Sequence, residues 1–118
     1  MSVIAYDVIV IGAGTAGLTA GARLASEGLQ VALVTAGEPT ACLSTGCIDV
    51  CAAGVNPLDG IADLPESHPY HRIAPAAIRD ALLNFQRQCA GLHLPYTGAP
   101  DQNRLVLSAI GTFKTSCL

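Results

Sequence analysis

The chain is poor in aromatic and in charged residues. It has no tryptophan, one methionine and only 4% aromatic residues, so its core must consist of small aliphatic side chains. Hydrophobic residues make up 51% of the 118 and charged residues 13%, a composition that excludes an intrinsically disordered chain. Six Lys and Arg residues within a net charge of −3 argue against a nucleic-acid partner, because such proteins carry a basic excess that neutralises phosphates.

From the residues of this chain we expect neither a membrane-crossing helix nor a signal peptide. The uncharged run from Val8 to Ala22 is shorter than the about 18 apolar residues that a membrane-crossing helix needs. Asp7 comes early and the first basic residue is Arg23, so the basic region of a signal peptide is missing. We therefore expect a cytoplasmic protein whose five cysteines are thiols, unless they take part in redox chemistry.

The first 35 residues predict a strand, a helix and a second strand. Residues 6–11 form a β-branched apolar run, typical of a parallel strand that is buried on both faces. Helical spacing of small apolar residues continues over 13–27, Gly28 suits the helix end, and residues 30–34 form another apolar strand. This order predicts an α/β fold, the beginning of a Rossmann-like domain, with residues 6–35 as a right-handed βαβ unit.

The remainder of the chain predicts a long loop followed by further regular structure. Residues 36–75 contain five prolines and no sustained periodicity, as in loops that serve a function. Helical spacing returns over 76–90, with Pro75 in the first turn and Gly91 at the end. Short strands are predicted at 94–97 and 104–107 around a turn, and another within 111–118. We interpret residues 1–118 as a single partial domain.

A glycine-rich turn is the strongest functional signal. Six residues form a G-x-G-x-x-G sequence between the first strand and the helix, the context that a dinucleotide-binding turn requires. Gly12 permits the tight turn, Gly14 lets a pyrophosphate approach the backbone, and Gly17 lets the helix pack on the strand. The N–H groups and the dipole of the helix N-terminus then favour phosphate. The predicted cofactor-binding residues of the turn are Gly12, Ala13, Gly14, Thr15, Ala16 and Gly17; glycines placed only for packing are the alternative.

The acidic residue that commonly ends the second strand and binds ribose hydroxyls is missing. Val34 is followed by Thr35, whose side chain can supply one hydrogen bond where a carboxylate supplies two. The nearest carboxylate, Glu38, lies three residues further on. Thr35 is therefore a predicted cofactor contact, and the nucleotide is either a dinucleotide that is held less tightly or a mononucleotide.

Two cysteines lie in a loop about 25 residues after the glycine-rich turn. The segment from Cys42 to Cys47 resembles the redox-disulfide region of the dihydrolipoamide dehydrogenase and glutathione reductase family, in which the pair lies against the flavin. That resemblance ends near residue 48, because the family continues with Pro-Ser-Lys and this chain with Asp49-Val50-Cys51. Two buried thiols are the alternative, and an iron–sulfur site is disfavoured because the cysteine spacing matches no ferredoxin pattern.

A second resemblance extends over nearly the whole chain. Four stretches, in this order and spacing, are similar to the N-terminal part of the B subunit of the anaerobic, quinone-linked glycerol-3-phosphate dehydrogenase. They are residues 6–14 (Tyr-Asp-Val-Ile-Val-Ile-Gly-Ala-Gly), 43–50 (Leu-Ser-Thr-Gly-Cys-Ile-Asp-Val), 68–70 (His-Pro-Tyr) and 105–115. Members of that family are several times longer than this chain. The small hydroxyl residue near a glycine, in place of the ribose-binding acid, is also similar to this family.

The second resemblance implies a flavoprotein that binds FAD or FMN. It implies two partners, the larger catalytic A subunit and the iron–sulfur, membrane-associated C subunit. The implied reaction oxidises sn-glycerol 3-phosphate to dihydroxyacetone phosphate, with electrons passed to quinone, in the cytoplasm and peripheral to the inner face of the cell membrane through the partner proteins. A fragment of a pyridine nucleotide–disulfide oxidoreductase that uses Cys42 and Cys47, and a non-catalytic nucleotide-binding module, are the alternatives.

Three small residues within the cysteine loop complete the predicted cofactor contacts. Ser44, Thr45 and Gly46 offer small donors that suit the ring edge or the phosphate of a flavin, with an ordinary turn as the alternative. We expect Asp49 to be solvated or to accept backbone N–H groups of the loop, and His68 to anchor a loop. We assign no catalytic base and no metal ligand. We expect that the 118-residue chain by itself does not catalyse turnover.

Overall fold

The computed structural model of the chain describes residues 4–118. The chain divides into two compact units, residues 1–46 and residues 47–118, and each contains a two-stranded sheet. Helices and strands both occur, which agrees with the predicted α/β class. Among the described residues, no helix combines the length and the apolar character that crossing a membrane demands.

The first unit contains the predicted strand, helix and strand. Strand β1 (Val8–Ile11) is followed by helix α1 (Thr15–Ser26) and strand β2 (Val31–Val34). The strands pair in parallel, with Val8 opposite Val31 and Ile11 opposite Val34. Gly28 ends the helix with a φ of +87°, a conformation that glycine adopts without strain, as its position predicts.

Helix α1 covers one face of the first sheet. Val10 and Val31 lie under α1, because their Cγ1 atoms are 3.5 Å and 3.9 Å from where Cβ atoms would sit on Gly17 and Gly21. On the opposite face Ile9 and Ile11 are 63% and 87% exposed. Both faces of the first strand are therefore apolar, and within residues 4–46 α1 packs against the face that contains Val10.

The segment predicted to be a loop, residues 36–75, consists of irregular backbone and three short 3₁₀ helices at Thr40–Leu43, Asp59–Asp63 and Pro69–Arg72. The last of these begins with a proline that fixes φ. His68 precedes it, and its Nδ1 accepts a hydrogen bond from the Tyr70 N–H at 3.2 Å. His68 therefore holds the turn in place, in line with the expected anchoring role.

The second unit contains helix α2 (Pro75–Gly91) and an antiparallel hairpin of strands β3 (Arg104–Leu107) and β4 (Phe113–Ser116). Leu107 lies opposite Phe113 in the hairpin. The helix, the strand at 104–107 and a strand within 111–118 agree with the sequence predictions. One core cluster consists of Leu82, Cys117 and Leu118, with four partly buried residues packed around them: Ile48, Val50, Ile78 and Tyr96.

The predicted strand at 94–97 is wrong. These residues have no strand pairing in the structure. Pro95 lacks an N–H that a ladder would need, and the carbonyl groups of Tyr96 and Gly98 accept hydrogen bonds from the Gln86 side chain, both at 3.3 Å. A helix side chain thus satisfies backbone groups that a neighbouring strand was expected to satisfy, and β3 pairs with β4 instead.

Candidate cofactor site

The parallel pairing of β1 and β2 brings the glycine-rich turn and Thr35 to the same edge of the first sheet. Gly12 follows β1, and its N–H donates to the Val34 carbonyl oxygen at 2.8 Å. Thr35 is the next residue after Val34. Ligands of open α/β sheets bind at this carboxyl edge of the strands. The structure therefore places two of the predicted contact regions beside each other.

Two glycines shape the turn itself. Gly12 has a φ of +101°, which lies in the region that residues with a Cβ rarely adopt. A Cβ on Gly17 would collide with the Gly12 carbonyl oxygen. Position 12 therefore requires glycine for its backbone conformation, and position 17 requires glycine because α1 approaches the turn so closely.

Gly14, in contrast to Gly17, lies beside open space. No atom beyond its chain neighbours and the backbone of α1 lies within 4 Å of the position that a Cβ would occupy, among the described residues. The first backbone hydrogen bond of α1 runs from the Leu18 N–H to the Gly14 carbonyl oxygen at 2.9 Å. The N–H groups of residues 15–17 therefore precede the helical ladder, and the first turn contains no acidic residue. Open space, N–H donors and the positive end of the helix dipole fit a pyrophosphate group.

Thr35 is already engaged in its own turn. Its Oγ1 donates to the Gly37 carbonyl oxygen at 3.1 Å. Because the hydroxyl proton is used there, the remaining lone pairs of Oγ1 can only accept. Thr35 can therefore accept a hydrogen bond from a ribose hydroxyl, a direction that the sequence does not specify.

The sequence profile of the FAD binding domain family matches residues 7–118. This chain belongs to the FAD-binding domain family. The match begins at Asp7, just before β1, and includes the whole glycine-rich turn.

The FAD-binding domain is similar to curated proteins that are named as the B subunit of anaerobic glycerol-3-phosphate dehydrogenase. The protein of Pectobacterium atrosepticum is 32% identical over 96% of this chain and 29% of the relative. The proteins of Actinobacillus succinogenes and Aliivibrio fischeri are each 29% identical over 96% of this chain, and the match covers 28% and 27% of their lengths. The resemblance read from four stretches is confirmed, and the chain spans less than a third of the length of these relatives. No solved structure gives a significant match.

The small residues of the cysteine loop form a local turn in this FAD-binding domain. The Ser44 Oγ accepts a hydrogen bond from the Gly46 N–H at 3.2 Å, and Gly46 has a φ of +78°. Thr45 lies between them in the sequence. These observations agree with an ordinary turn, and contact of this loop with a cofactor stays a prediction.

All five cysteines lie in the described part of the chain, and each is a free thiol. The disulfide that a disulfide oxidoreductase needs between Cys42 and Cys47 is thus not formed. Cys42 is exposed, whereas Cys117 is buried, and burial raises the pKa of the Cys117 thiol. Among residues 4–118, no group of three or more His, Cys, Asp or Glu side chains is arranged to hold a metal ion.

Asp49, two residues after Cys47, forms an ion pair with a lysine of β4 that the sequence did not predict. The Lys114 Nζ lies 2.8 Å from the Asp49 Oδ2, across 65 residues of sequence. Partial burial opposes ionisation of Asp49, but hydrogen bonds from Lys114 and Ser116 outweigh it and hold the pKa of Asp49 below its usual value. The hydrogen bond to Asp49 raises the pKa of Lys114. Asp49 therefore has a lysine as its partner, which neither of the roles expected from the sequence includes.

Proposed function

We propose that this FAD-binding domain is the N-terminal part of a flavoprotein oxidoreductase, the B subunit of an anaerobic glycerol-3-phosphate dehydrogenase. The proposed reaction oxidises sn-glycerol 3-phosphate to dihydroxyacetone phosphate and passes the electrons to quinone. The observation that carries the proposal is similarity to such B subunits over 96% of the chain, together with open space above Gly14 at the helix N-terminus. A bound flavin supplies the acceptor for the two electrons that leave the secondary alcohol.

The residues of the chain have separate tasks in this proposal. The backbone N–H groups of residues 15–17 bind the phosphate oxygens, since they lie ahead of the first helical hydrogen bond. Thr35 accepts from a ribose hydroxyl of the adenosine half of FAD. FMN has one phosphate and no adenosine, so it would use the helix N-terminus but not Thr35. FAD is favoured by the family to which the chain belongs, and FMN is the alternative.

The partners and the location belong to the proposal as well. The matched relatives are named as one subunit of an enzyme, which supports an assembly with the larger catalytic A subunit and the iron–sulfur C subunit. We propose that the assembly lies in the cytoplasm, peripheral to the inner face of the cell membrane through the partner proteins. We also propose that the 118-residue chain binds the cofactor but does not oxidise glycerol 3-phosphate by itself.

The first test is the visible absorption spectrum of the freshly purified chain, followed by identification of the released cofactor. The absorption bands of an oxidised flavin are expected, and the released species distinguishes FAD from FMN. The matched variants are Gly14→Ala, which places a methyl group in the open space, and Gly91→Ala, which does so at the end of α2 where a Cβ also meets nothing. Gly14→Ala should lose the bound flavin and Gly91→Ala should keep it. A colourless chain that also binds no added FAD or FMN would contradict the proposal.

The second test addresses the reaction and the partners. Co-expression with the catalytic and iron–sulfur partners should yield a complex that reduces a phenazine dye when glycerol 3-phosphate is added. The chain by itself should give no dye reduction. Dye reduction by the isolated chain would contradict the proposed dependence on partners, and failure to co-purify with either partner would contradict the assembly.

A further inference from the structure

The side chains of β1 and β2 do not by themselves select how the two strands pair. β1 reads Val-Ile-Val-Ile and β2 reads Val-Ala-Leu-Val, so every position is apolar. A shift of one residue would move a strand's side chains to the opposite face, but a shift of two residues would return apolar side chains to the face under α1. Some feature outside the strands must therefore favour the observed register.

Asp7 lies immediately before β1 and binds both backbone groups of one residue before β2. Its Oδ2 accepts a hydrogen bond from the Gln30 N–H at 2.8 Å. Its own N–H donates to the Gln30 carbonyl oxygen at 2.9 Å. A shift of two residues would carry the carboxylate away from the Gln30 N–H. Hydrogen bonds to a charged acceptor are among the stronger ones in proteins, so this contact favours one register over the others.

The same register controls the carboxyl ends of the strands, where the cofactor site lies. Both strands have only four residues, and at their far end the Gly12 N–H donates to the Val34 carbonyl oxygen at 2.8 Å. We infer that Asp7 is a positioning residue for the cofactor site, because its carboxylate selects the β1–β2 register that places the glycine-rich turn beside Thr35. The expected effect of Asp7 on FAD binding rests on the proposed function. Its effect on the register rests on the hydrogen bonds of β1 and β2.

The experiment compares three variants of the full chain. Asp7→Ala removes the acceptor, Asp7→Asn keeps a side-chain oxygen acceptor, and Asp80→Ala removes an exposed carboxylate from α2 as a matched control. Two quantities are measured: the dissociation constant for added FAD, and the hydrogen-exchange rate of the Gly12 amide. Asp7→Ala should weaken FAD binding and accelerate Gly12 exchange by at least about tenfold, the lower end of what loss of one hydrogen bond to a charged group predicts. Asp7→Asn should keep most of the FAD affinity and most of the protection of the Gly12 amide. Asp80→Ala should change neither quantity.

The outcomes distinguish a local effect of Asp7 on Gly12 from general unfolding of the first unit, and both of these from failure of the proposed function. Unchanged Gly12 exchange in Asp7→Ala would overturn the inference. Equal acceleration at Leu18, whose amide forms the first hydrogen bond of α1, would indicate general unfolding of the first unit and would also overturn it. If Gly12 responds selectively but the unaltered chain binds no FAD, the register role of Asp7 is supported and the proposed function fails.

Discussion

The Cα of Gly17 lies so close to the carbonyl oxygen of Gly12 that no larger residue fits at position 17. The two residues are five apart in sequence and belong to the turn and to α1. Their approach brings the start of the helix against the end of β1, and with it the N–H groups that are proposed to bind phosphate.

Replacement of Gly17 by alanine should destabilise the first unit. The new Cβ would overlap the Gly12 oxygen, and because both atoms are fixed to the backbone, α1 must shift away from β1. The expected loss in the free energy of unfolding is about 1–3 kcal/mol, and FAD binding should be lost with it. Chemical denaturation and FAD titration measure both. Gly14→Ala provides the contrast, since it should weaken FAD binding while the unfolding free energy changes by less than about 0.5 kcal/mol. Equal stability of the Gly17→Ala protein and the unaltered chain would contradict this explanation.

Thr35 should distinguish FAD from FMN. Thr35→Val keeps the shape of the side chain and removes the oxygen that would accept from the adenosine ribose. One hydrogen bond of this kind contributes about 0.5–1.5 kcal/mol, so FAD affinity should fall by about 2- to 13-fold. FMN affinity should stay the same, because FMN has no adenosine ribose. Titration calorimetry with both flavins gives the comparison. An equal loss for FMN would indicate that Thr35 supports the turn through Gly37 and does not contact ribose.

The Asp49–Lys114 ion pair should make the stability of the second unit depend on pH at both ends of the range. The folded-state pKa of Asp49 is lowered, so its contribution is present above the ordinary aspartate pKa and is lost as pH falls through the lowered value. The folded-state pKa of Lys114 is raised, so its contribution is present below the ordinary lysine pKa and is lost as pH rises through the raised value. The effect should be small, because both side chains are partly exposed.

Thermal unfolding from strongly acidic to strongly alkaline pH tests this dependence. Asp49→Asn removes one charge of the pair and should flatten the acid side of the profile while leaving the other carboxylates in place. Glu66→Gln, an exposed carboxylate of the same unit, is the control and should leave the profile unchanged. An acid-side profile that is identical in the Asp49→Asn protein would show that the pair does not contribute.

Cys42 should not be required for flavin binding or for electron transfer. Because the chain is similar to glycerol-3-phosphate dehydrogenase subunits over 96% of its length, Cys42→Ser should retain the bound flavin and, in complex with the partner proteins, the full rate of glycerol 3-phosphate oxidation. Titration with a thiol reagent should show rapid reaction of Cys42 and slow reaction of buried Cys117 until the chain is denatured. Loss of activity in Cys42→Ser, together with an NADPH-reducible disulfide, would instead support the disulfide oxidoreductase alternative.

The elements that sequence analysis predicted well are those that depend on neighbours in the chain. The strand before Gly12, the helix that precedes Gly28 and the helix that begins at Pro75 follow from local periodicity and from residues that suit helix ends. The prediction failed at 94–97, since the groups that satisfy this backbone come from Gln86 in another element. The ion pair of Asp49 with Lys114 was missed for a similar reason, because nothing in the sequence around either residue indicates its partner.

The sequence by itself determined the strand–turn–helix context of Gly12, Gly14 and Gly17, because turn geometry, close packing and helix starts impose requirements on single positions. Only the tertiary structure decided that the Thr35 hydroxyl is used as a donor within its own turn and that Asp7 binds Gln30. It also decided which face of the first sheet packs under α1. These features depend on distances between residues that the chain brings together by folding, and such distances are not encoded in any short stretch of residues.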